Sequence, residues 1–371
     1  MKVLFCGGGT GGHITPALAM ADILKQNDKK AVFAFVGREG GRENTAITKE
    51  GYQLFELKVK GIRRTLSVKN LCAIYQALTA TARAKKIIRD FKPDIVIGTG
   101  GYVSFPVLRA AIKMKLPTLL HESNSYPGLV TRLLGKRCDR VLVSSERAKK
   151  HLKYSHNTAV TGNPVRASFK SIDRRSARER LGIPERDFFV LSFGGSLGAE
   201  KLNAAVAEYM RNQLKSRGLT YVHATGRAGF SEYEELSREL RDKNPRLRII
   251  PYIDDMPRYL SGCDIVISRS GAMTLAEIGE VCVPAVLIPS PYVADNHQLE
   301  NARALADEGC AVILEESELT PSTLDSAISR LRAERGVREE ITAKLKSKKS
   351  ASCEKKIYEE IMNTASRTKK R

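Results

Sequence analysis

Tryptophan is absent from the 371 residues and aromatic side chains make up only 6%. A chain this poor in flat π-faces has little with which to stack nucleobases. It also carries neither zinc-finger spacing nor an RNP-type aromatic motif, so the formal charge of +21 does not by itself describe a nucleic-acid reader, and no nucleic-acid partner is expected. The same charge suits an anionic membrane surface or a pyrophosphate-bearing substrate, while the basic tail at 367–371 reads as solubility. The seven cysteines are odd in number and contain no Cys-x-x-Cys pair, which argues against a disulfide framework or a zinc site and for a reducing cytoplasm. No apolar run approaches the ~18 residues of a spanning helix, and the stretch before the first glycines is too short for a signal peptide. An Asp-x-Asp motif at a strand end is missing as well, so neither a metal nor any other cofactor is expected.

What the chain does have is glycine at strand ends. Residues 6–13 read CGGGTGGH, directly after Val3-Leu4-Phe5 and before a stretch with Ala17, Met20, Ala21 and Leu24 at helical spacing. Strand, glycine loop and helix follow one another, and glycines there let a backbone come close to a ligand while the helix-start amides favour an anion. Three readings stay open at this level. A nucleotide-hydrolysing P-loop loses support because His13 and Ile14 stand where Lys-Ser/Thr is required. Gly7, Gly9 and Gly12 satisfy the dinucleotide fingerprint, with Glu39 as a possible ribose ligand. A tight turn without a ligand is the third.

The pattern repeats. Strand-like runs at 31–36, 95–97, 118–120 and 141–143 alternate with helical stretches such as 71–89, which predicts a parallel sheet covered on both faces. It starts again at 188–193, which empties into Gly194-Gly195-Ser196-Leu197-Gly198 and a helix with Leu202, Val206, Tyr209 and Met210 on one face; further strands follow at 247–250, 264–267 and 285–288. Asp94-Ile95-Val96-Ile97 leads into Gly98-Thr99-Gly100-Gly101 much as Asp264-Ile265-Val266-Ile267 leads into Ser268-Arg269-Ser270-Gly271. Two similar α/β halves are expected. Residues 1–163 form the first and 164–345 the second, with 161–164 and the charged stretch 173–180 as linker and 346–371 as a helix and basic tail that crosses back to the first half. Doubly wound halves bind ligands at the carboxyl ends of their strands, where all four glycine turns fall.

In the second half, the amides opening the helix at Gly271-Ala272 suit a diphosphate, and Glu277, one to two turns in, can accept hydrogen bonds from ribose hydroxyls. Asp295-Asn296-His297-Gln298 suits sugar hydroxyls or a plain helix cap.

Gly8-Gly9-Thr10-Gly11-Gly12-His13, Gly98-Thr99-Gly100-Gly101-Tyr102-Val103-Ser104, His121-Glu122-Ser123-Asn124, Gly162-Asn163-Pro164-Val165-Arg166, Gly194-Gly195-Ser196-Leu197-Gly198-Ala199, Tyr252-Ile253-Asp254-Asp255-Met256 and Arg269-Ser270-Gly271-Ala272 stand in the order found in the MurG family, which the chain resembles from Lys2 to about Ala311. That resemblance implies the GT-B architecture, two Rossmann-like domains facing across a cleft. It further implies transfer of N-acetylglucosamine from UDP-N-acetylglucosamine to the C4 hydroxyl of the muramoyl sugar of undecaprenyl-linked lipid I, with inversion, at the cytoplasmic face of the bacterial membrane. Carried over by motif, the UDP-sugar would meet Thr10, Gly11, Gly12 and Asn124 in the first half. In the second it would meet Arg166, Ser196, the backbone of Ile253, the run Ala272, Met273, Thr274, Leu275, Ala276 and Glu277, and Gln298. The acceptor pyrophosphate would meet Gly9, Gly100, Gly101 and Tyr102. Departures from the family pattern fall at Phe105, Ser123, Leu197 and His297, and they leave the acceptor loop and one sugar contact open.

An inverting transfer needs a base for the attacking hydroxyl. Histidine titrates near pH 6.5 and suits the task, which makes His13 the first candidate and Glu122 its rival. The leaving diphosphate would be met by the helix start at Gly271-Ala272 and by Arg166. Between 62 and 88, apolar Leu66, Leu71, Ile74, Leu78, Ile87 and Ile88 interleave with Arg63, Arg64, Lys69, Arg83, Lys85 and Lys86, a basic amphipathic pattern suited to an anionic membrane surface; parts of the run must also pack as a crossover helix on their own sheet, so a mixture of the two is expected. A UDP-sugar 2-epimerase, an NAD-dependent oxidoreductase and a basic nucleic-acid-binding protein remain as alternatives.

Overall fold

Strands that are apolar at every position have no face to give to water, and both sheets are accordingly parallel with helices on each side. The computed structural model describes residues 1–9, 11–41, 44–59, 68–195, 198–349 and 353–366, with backbone alone for 11 and 68–78. In the first unit, which runs to Arg166, the elements are β1 (Lys2–Cys6), α1 (Gly11–Asn27), β2 (Val32–Arg38), α2 (Asn44–Lys49), β3 (Gln53–Leu57), α3 (Val68–Phe91), β4 (Ile95–Gly98), α4 (Gly101–Lys113), β5 (Thr118–Glu122), α5 (Leu129–Leu134), β6 (Arg140–Val143), α6 (Glu146–Lys150) and β7 (Thr158–Val160). The second unit, 167–350, holds α7 (Arg174–Leu181), β8 (Phe188–Phe193), α8 (Glu200–Asn212), β9 (Leu219–Ala224), α9 (Glu234–Lys243), β10 (Leu247–Ile250), α10 (Met256–Gly262), β11 (Ile265–Ser268), α11 (Ala272–Val281), β12 (Ala285–Leu287), α12 (His297–Ala306), β13 (Val312–Ile313), α13 (Pro321–Ala333) and α14 (Arg335–Lys348). The last helix, α15 (Cys353–Ser366), belongs to the first unit.

The strand orders are β3-β2-β1-β4-β5-β6-β7 and β10-β9-β8-β11-β12-β13. In each, the chain winds outward one way and then reverses, between β1 and β4 in one sheet and between β8 and β11 in the other. These are the crevices where doubly wound sheets take ligands. Register puts Cys6 beside Gly98 and Phe193 beside Ser268, so the glycine turns after the paired strands leave the sheet side by side.

Side chains alternate across the first sheet as strand geometry demands. Val3 and Phe5 pack with Ile14 and Leu18 of α1, while Leu4 and Cys6 pack with Ala84 and Ile88 of α3 and with Val107 of α4. α15 completes the α1 side: Ile357 and Ile361 are fully buried there, each contributing about 1.5–3 kcal/mol by leaving water, and Glu360 pairs with Arg140 at 2.7 Å.

One expectation changes. The charged stretch 173–180 is not linker but α7, capped by Asp173 and docked on α10. Its run of charge hides one interior residue, Arg178, which donates to the carbonyls of Gly262, Pro184, Glu185 and Asp187 and to Asp264. A buried guanidinium is tolerable only when its donors are satisfied in this way. In the amphipathic stretch, Ile87 and Ile88 are buried against the first sheet, because α3 is the crossover between β3 and β4. Residues 62–67 and the side chains of 68–78, which carry most of the membrane expectation, lie outside the described residues. Among those described, no helix is long and apolar enough to cross a membrane.

Two buried histidines tie the strand ends. His121 donates from Nε2 to the Gly162 carbonyl at 3.3 Å and accepts from Ser123 at Nδ1. His223 donates from Nε2 to Asn203 at 3.1 Å and accepts from Ser192 at 2.7 Å, and Asn203 in turn donates to the Thr225 carbonyl. Burial pushes His121 down to about 4 and His223 down to about 3. Both pKa values fall on folding, so the stability these groups hold is complete above pH ~6.5 and is lost as pH drops through the folded values. The unfolding free energy from urea titrations should therefore fall steadily from pH 7 to pH 4, by roughly 3 kcal/mol per histidine over the window, and His223→Gln should flatten the slope. A free energy indifferent to pH over that interval would contradict the assignment.

Candidate active site

The turns after β1 and β4 interlock only because neither carries a side chain where they meet. Gly100 and Gly101 adopt φ values of 97° and 73°; a Cβ on the first would lie 2.8 Å from His13 Nδ1, and one on the second 1.9 Å from the Gly8 carbonyl oxygen. Gly9 faces the Tyr102 ring, 2.6 Å from where its Cβ would be. The structure thus brings together His13, Gly9, Gly100, Gly101 and Tyr102 at the reversal between β1 and β4. Gly11 and Gly12 open α1 just before His13, and α4 opens at Gly101 without a capping side chain, so both helix starts offer amides to an anion. Thr10 lies outside the described residues.

His13 is oriented by a residue that the motif did not single out. Its Nδ1 lies 3.1 Å from the Thr99 carbonyl, and the Thr99 hydroxyl donates back to the His13 carbonyl at 2.6 Å. A carbonyl only accepts, so Nδ1 carries the proton and the neutral ring keeps its lone pair on Nε2. The ring is half-buried, between the glycine loops.

Glu122, the rival base, is built into the fold instead. One oxygen accepts from the backbone and side-chain nitrogens of Asn124 at 3.0 and 3.1 Å; the other accepts from Gly128 N at 2.7 Å and the Thr131 hydroxyl at 2.6 Å. Four donors occupy a buried carboxylate and shape the turn from β5 into α5. Asn124 is positioned by that same cluster. Arg166 also has local partners: Nε reaches Asp22 of α1 at 2.5 Å and Nη2 reaches Glu50 at 2.8 Å. Its charge is already balanced by two carboxylates, which separates it from the leaving-group role expected for it.

In the second unit, α11 starts at the β8/β11 reversal with Gly271 as an extended cap, no capping side chain and no acidic residue in its first turn. Leu275 N already bonds to the Gly271 carbonyl, so the open amides are those of Ala272, Met273 and Thr274. Met273 and Leu275 point their side chains into the core, and Ala276 has no polar group, so of the expected run only backbone at the start and the Thr274 and Glu277 side chains can meet a ligand. Glu277 makes no hydrogen bond or ion pair among the described residues, and burial alone pushes its pKa up to about 8. Glu277 is half-buried, and hydroxyl donors reaching its carboxylate would favour the ionised form.

Gln298, on α12, is held beside this helix start. Ser270 donates to its backbone carbonyl at 2.7 Å, and its side-chain oxygen accepts from Ser290 N at 2.9 Å, which fixes the amide and leaves its NH2 as a donor. Just ahead of it Asp295 and Asn296 stand at φ 54° and 50°, left-handed values uncommon outside glycine. Ile253 is buried between β10 and α10, and neither its N–H nor its carbonyl bonds to another described backbone group. Beside it Arg227 lies 4.6 Å above the exposed Tyr252 ring and 3.2 Å from Asp254, a cation–aromatic pair that sequence spacing did not signal. Arg269 is structural, paired with Glu316 and donating to the Ile288 carbonyl. Ser196 lies outside the described residues.

Two substitutions separate scaffold from site. Glu122→Gln should destabilise the protein by about 2–4 kcal/mol in urea titrations, since charge-assisted bonds to four donors are lost or weakened. Glu277→Gln should do the reverse. Its folded pKa is raised, so the stability tied to the proton is full below pH ~4.5 and drains away as pH rises through 8. The amide variant should gain about 1–3 kcal/mol over wild type at pH 8 and little at pH 5. Equal gains at both values would mean the carboxylate is not desolvated.

Residues 3–143 match the glycosyltransferase family 28 N-terminal domain and residues 189–357 the glycosyltransferase family 28 C-terminal domain. A relative from Acetivibrio thermocellus, named UDP-N-acetylglucosamine–N-acetylmuramyl-(pentapeptide) pyrophosphoryl-undecaprenol N-acetylglucosamine transferase, is 40% identical over 362 residues, covering 97% of each chain. Among solved structures, MurG of Acinetobacter baumannii superposes with a TM-score of 0.73 at 28% identity, covering 98% of this chain and 99% of that one. A UDP-GlcNAc 2-epimerase from Neisseria meningitidis, at 14% identity and a TM-score of 0.66 over 98% of this chain and all of that one, shares the fold alone. Matched along nearly its whole length and in both domains, the chain belongs to the MurG family of N-acetylglucosamine transferases within glycosyltransferase family 28.

Proposed function

We propose that this chain transfers N-acetylglucosamine from UDP-N-acetylglucosamine to the C4 hydroxyl of the muramoyl sugar of lipid I, completing lipid II. The carrying observation is the His13 Nδ1 bond to the Thr99 carbonyl, which leaves Nε2 as the basic nitrogen at the β1/β4 reversal. The acceptor oxygen attacks the anomeric carbon, its proton passes to His13 Nε2, and the bond from that carbon to the diphosphate oxygen breaks with inversion. UDP departs carrying the electron pair. The amides of Ala272, Met273 and Thr274 stabilise the leaving diphosphate through the α11 dipole, a task for which they are already oriented. Arg166 joins only if Asp22 and Glu50 release it.

The second unit is assigned the donor: Ile253 pairs its free amide and carbonyl with the uracil edge, Glu277 receives the ribose hydroxyls, and Gln298 meets the sugar. The first unit is assigned the lipid pyrophosphate, at Gly9, Gly100, Gly101 and Tyr102, and the anionic cytoplasmic leaflet where that lipid resides.

Incubation with UDP-N-acetylglucosamine and a lipid I analogue should release UDP. His13→Ala should lower kcat by roughly 10²–10⁴ with UDP affinity nearly unchanged. A rise in KM for the lipid with kcat preserved would make His13 a binding group instead. Glu277 supplies an independent signature. Ribose hydroxyls favour the ionised carboxylate, so UDP binding at pH 7 should expel a proton, seen calorimetrically as an enthalpy that changes with the buffer's ionisation heat. Glu277→Gln should abolish that dependence, and a buffer-independent enthalpy in wild type would remove Glu277 from the ribose.

A further inference from the structure

Residues 269–271 lead from β11 into α11 and have neither strand nor helix of their own, yet they carry the helix start assigned to the donor diphosphate. Amides serve an anion best when they converge on it before it arrives, because ordering them at the moment of binding subtracts from affinity. Whatever holds this turn in place therefore belongs to the chemistry of the site.

Two sets of contacts hold it. Ser270 is tied to α12: its hydroxyl donates to the Gln298 carbonyl at 2.7 Å, and its own carbonyl accepts from the Asn301 side-chain amide at 3.2 Å. Arg269 reaches the other way. Its Nη1 donates at 3.2 Å to the carbonyl of Ile288, the residue after β12, and its Nη2 pairs with Glu316 in the turn after β13. The Glu316 carbonyl in turn accepts from Lys201 Nζ in the first turn of α8. One guanidinium thus joins the segments that follow β11, β12 and β13, and through Lys201 the helix that follows β8. It does so by a buried ion pair, with the Arg269 side chain 13% exposed and that of Glu316 6%. Desolvation of two charges cancels much of their attraction, and an apolar pair of similar volume would pack without that cost, so stability alone is a poor reason for this choice. What an apolar pair lacks is direction. The guanidinium is planar, and donors on Nη1 and Nη2 aimed at two separate loops fix the orientation of Arg269 and of the backbone that runs from it into Gly271.

We propose that Glu316, which stands in none of the motifs, is a positioning residue of the donor site: through Arg269 it fixes the turn that aims the Ala272, Met273 and Thr274 amides at the donor diphosphate. The inference rests on the donor reading above. Its sign separates it from a direct effect of charge. A carboxylate close to an anion site repels the anion, and neutralising it frees the Arg269 cation, so charge alone predicts that loss of the Glu316 carboxylate tightens UDP. Loss of the positioning contact loosens UDP instead. Uridine has the base and the ribose without the diphosphate, so its affinity reports the rest of the donor site and leaves out the amides that the turn aims.

Calorimetric titration of the full-length protein with UDP, and ligand-observed NMR titration with uridine, read the two affinities separately. Glu316→Gln should weaken UDP about tenfold or more and uridine less than about twofold. Arg269→Lys keeps the charge balance and gives up the planar fork, and it should shift both ligands in the same way. Urea unfolding without ligand identifies which variants are folded, and either one by itself gives the reading. Tighter UDP binding by Glu316→Gln overturns the inference in favour of a direct charge effect. UDP and uridine weakened by the same factor overturn it in favour of a structural role, and wild-type UDP affinity in either folded variant overturns it outright. Failure of the donor reading looks different: wild-type protein itself then binds UDP no more tightly than uridine, and the inference falls with it.

Discussion

Two turns leaving neighbouring parallel strands cannot share one crevice if either carries a Cβ at their contact. The rest of the first unit's chemistry depends on that constraint. Because Gly100 and Gly101 sit at positive φ, the turn after β4 can press against the turn after β1, and only then does the Thr99 carbonyl come within hydrogen-bond distance of His13. The contact decides the tautomer, and the tautomer decides which nitrogen can take a proton. Ser104 reinforces it from below, its hydroxyl bridging the carbonyls of Cys6 and Gly100. The interlock is therefore the site's orienting device as well as a packing feature.

Buried polar groups do comparable work elsewhere. Glu122 gathers four donors from the turn that follows β5, His121 reaches to Gly162, and Arg178 collects carbonyls from two loops of the second unit. Each of these groups would be expensive in the interior if left unpaired. Paired, each fixes a segment of irregular backbone that has no strand or helix of its own to hold it. Glu277 is the exception: half-buried, it has no partner among the described residues, and burial alone raises its pKa to about 8.

The fold is largely legible in the sequence. Runs such as Val3-Leu4-Phe5 and Ile95-Val96-Ile97 are apolar throughout, which only a sheet covered on both faces can accommodate, and the strands at 188–193, 247–250 and 264–267 are found where periodicity placed them. Strands β3, β7, β9 and β13 were not anticipated. β9 carries Thr220 and His223 into the core and β3 mixes Gln and Glu with its apolar positions, so neither has a pattern that stands out. The stretch 173–180 misled for the reverse reason: one buried arginine among exposed ones has no signature in a charge run.

The sequence by itself determined most of the element order, the glycine turns at strand ends and the motifs that match the family, because these depend on local periodicity and on residue type. Tertiary structure decided how those residues divide their labour. Glu122 and His13 are equally plausible bases as letters; their surroundings differ, four donors on the Glu122 carboxylate and the Thr99 carbonyl on Nδ1 of His13. Arg166 is a phosphate ligand by motif and the partner of Asp22 and Glu50 by position. Met273 and Leu275 belong to a binding run in one dimension and to the core in three. Hydrogen-bond saturation and burial arise from neighbours distant in the chain, and no local pattern records them.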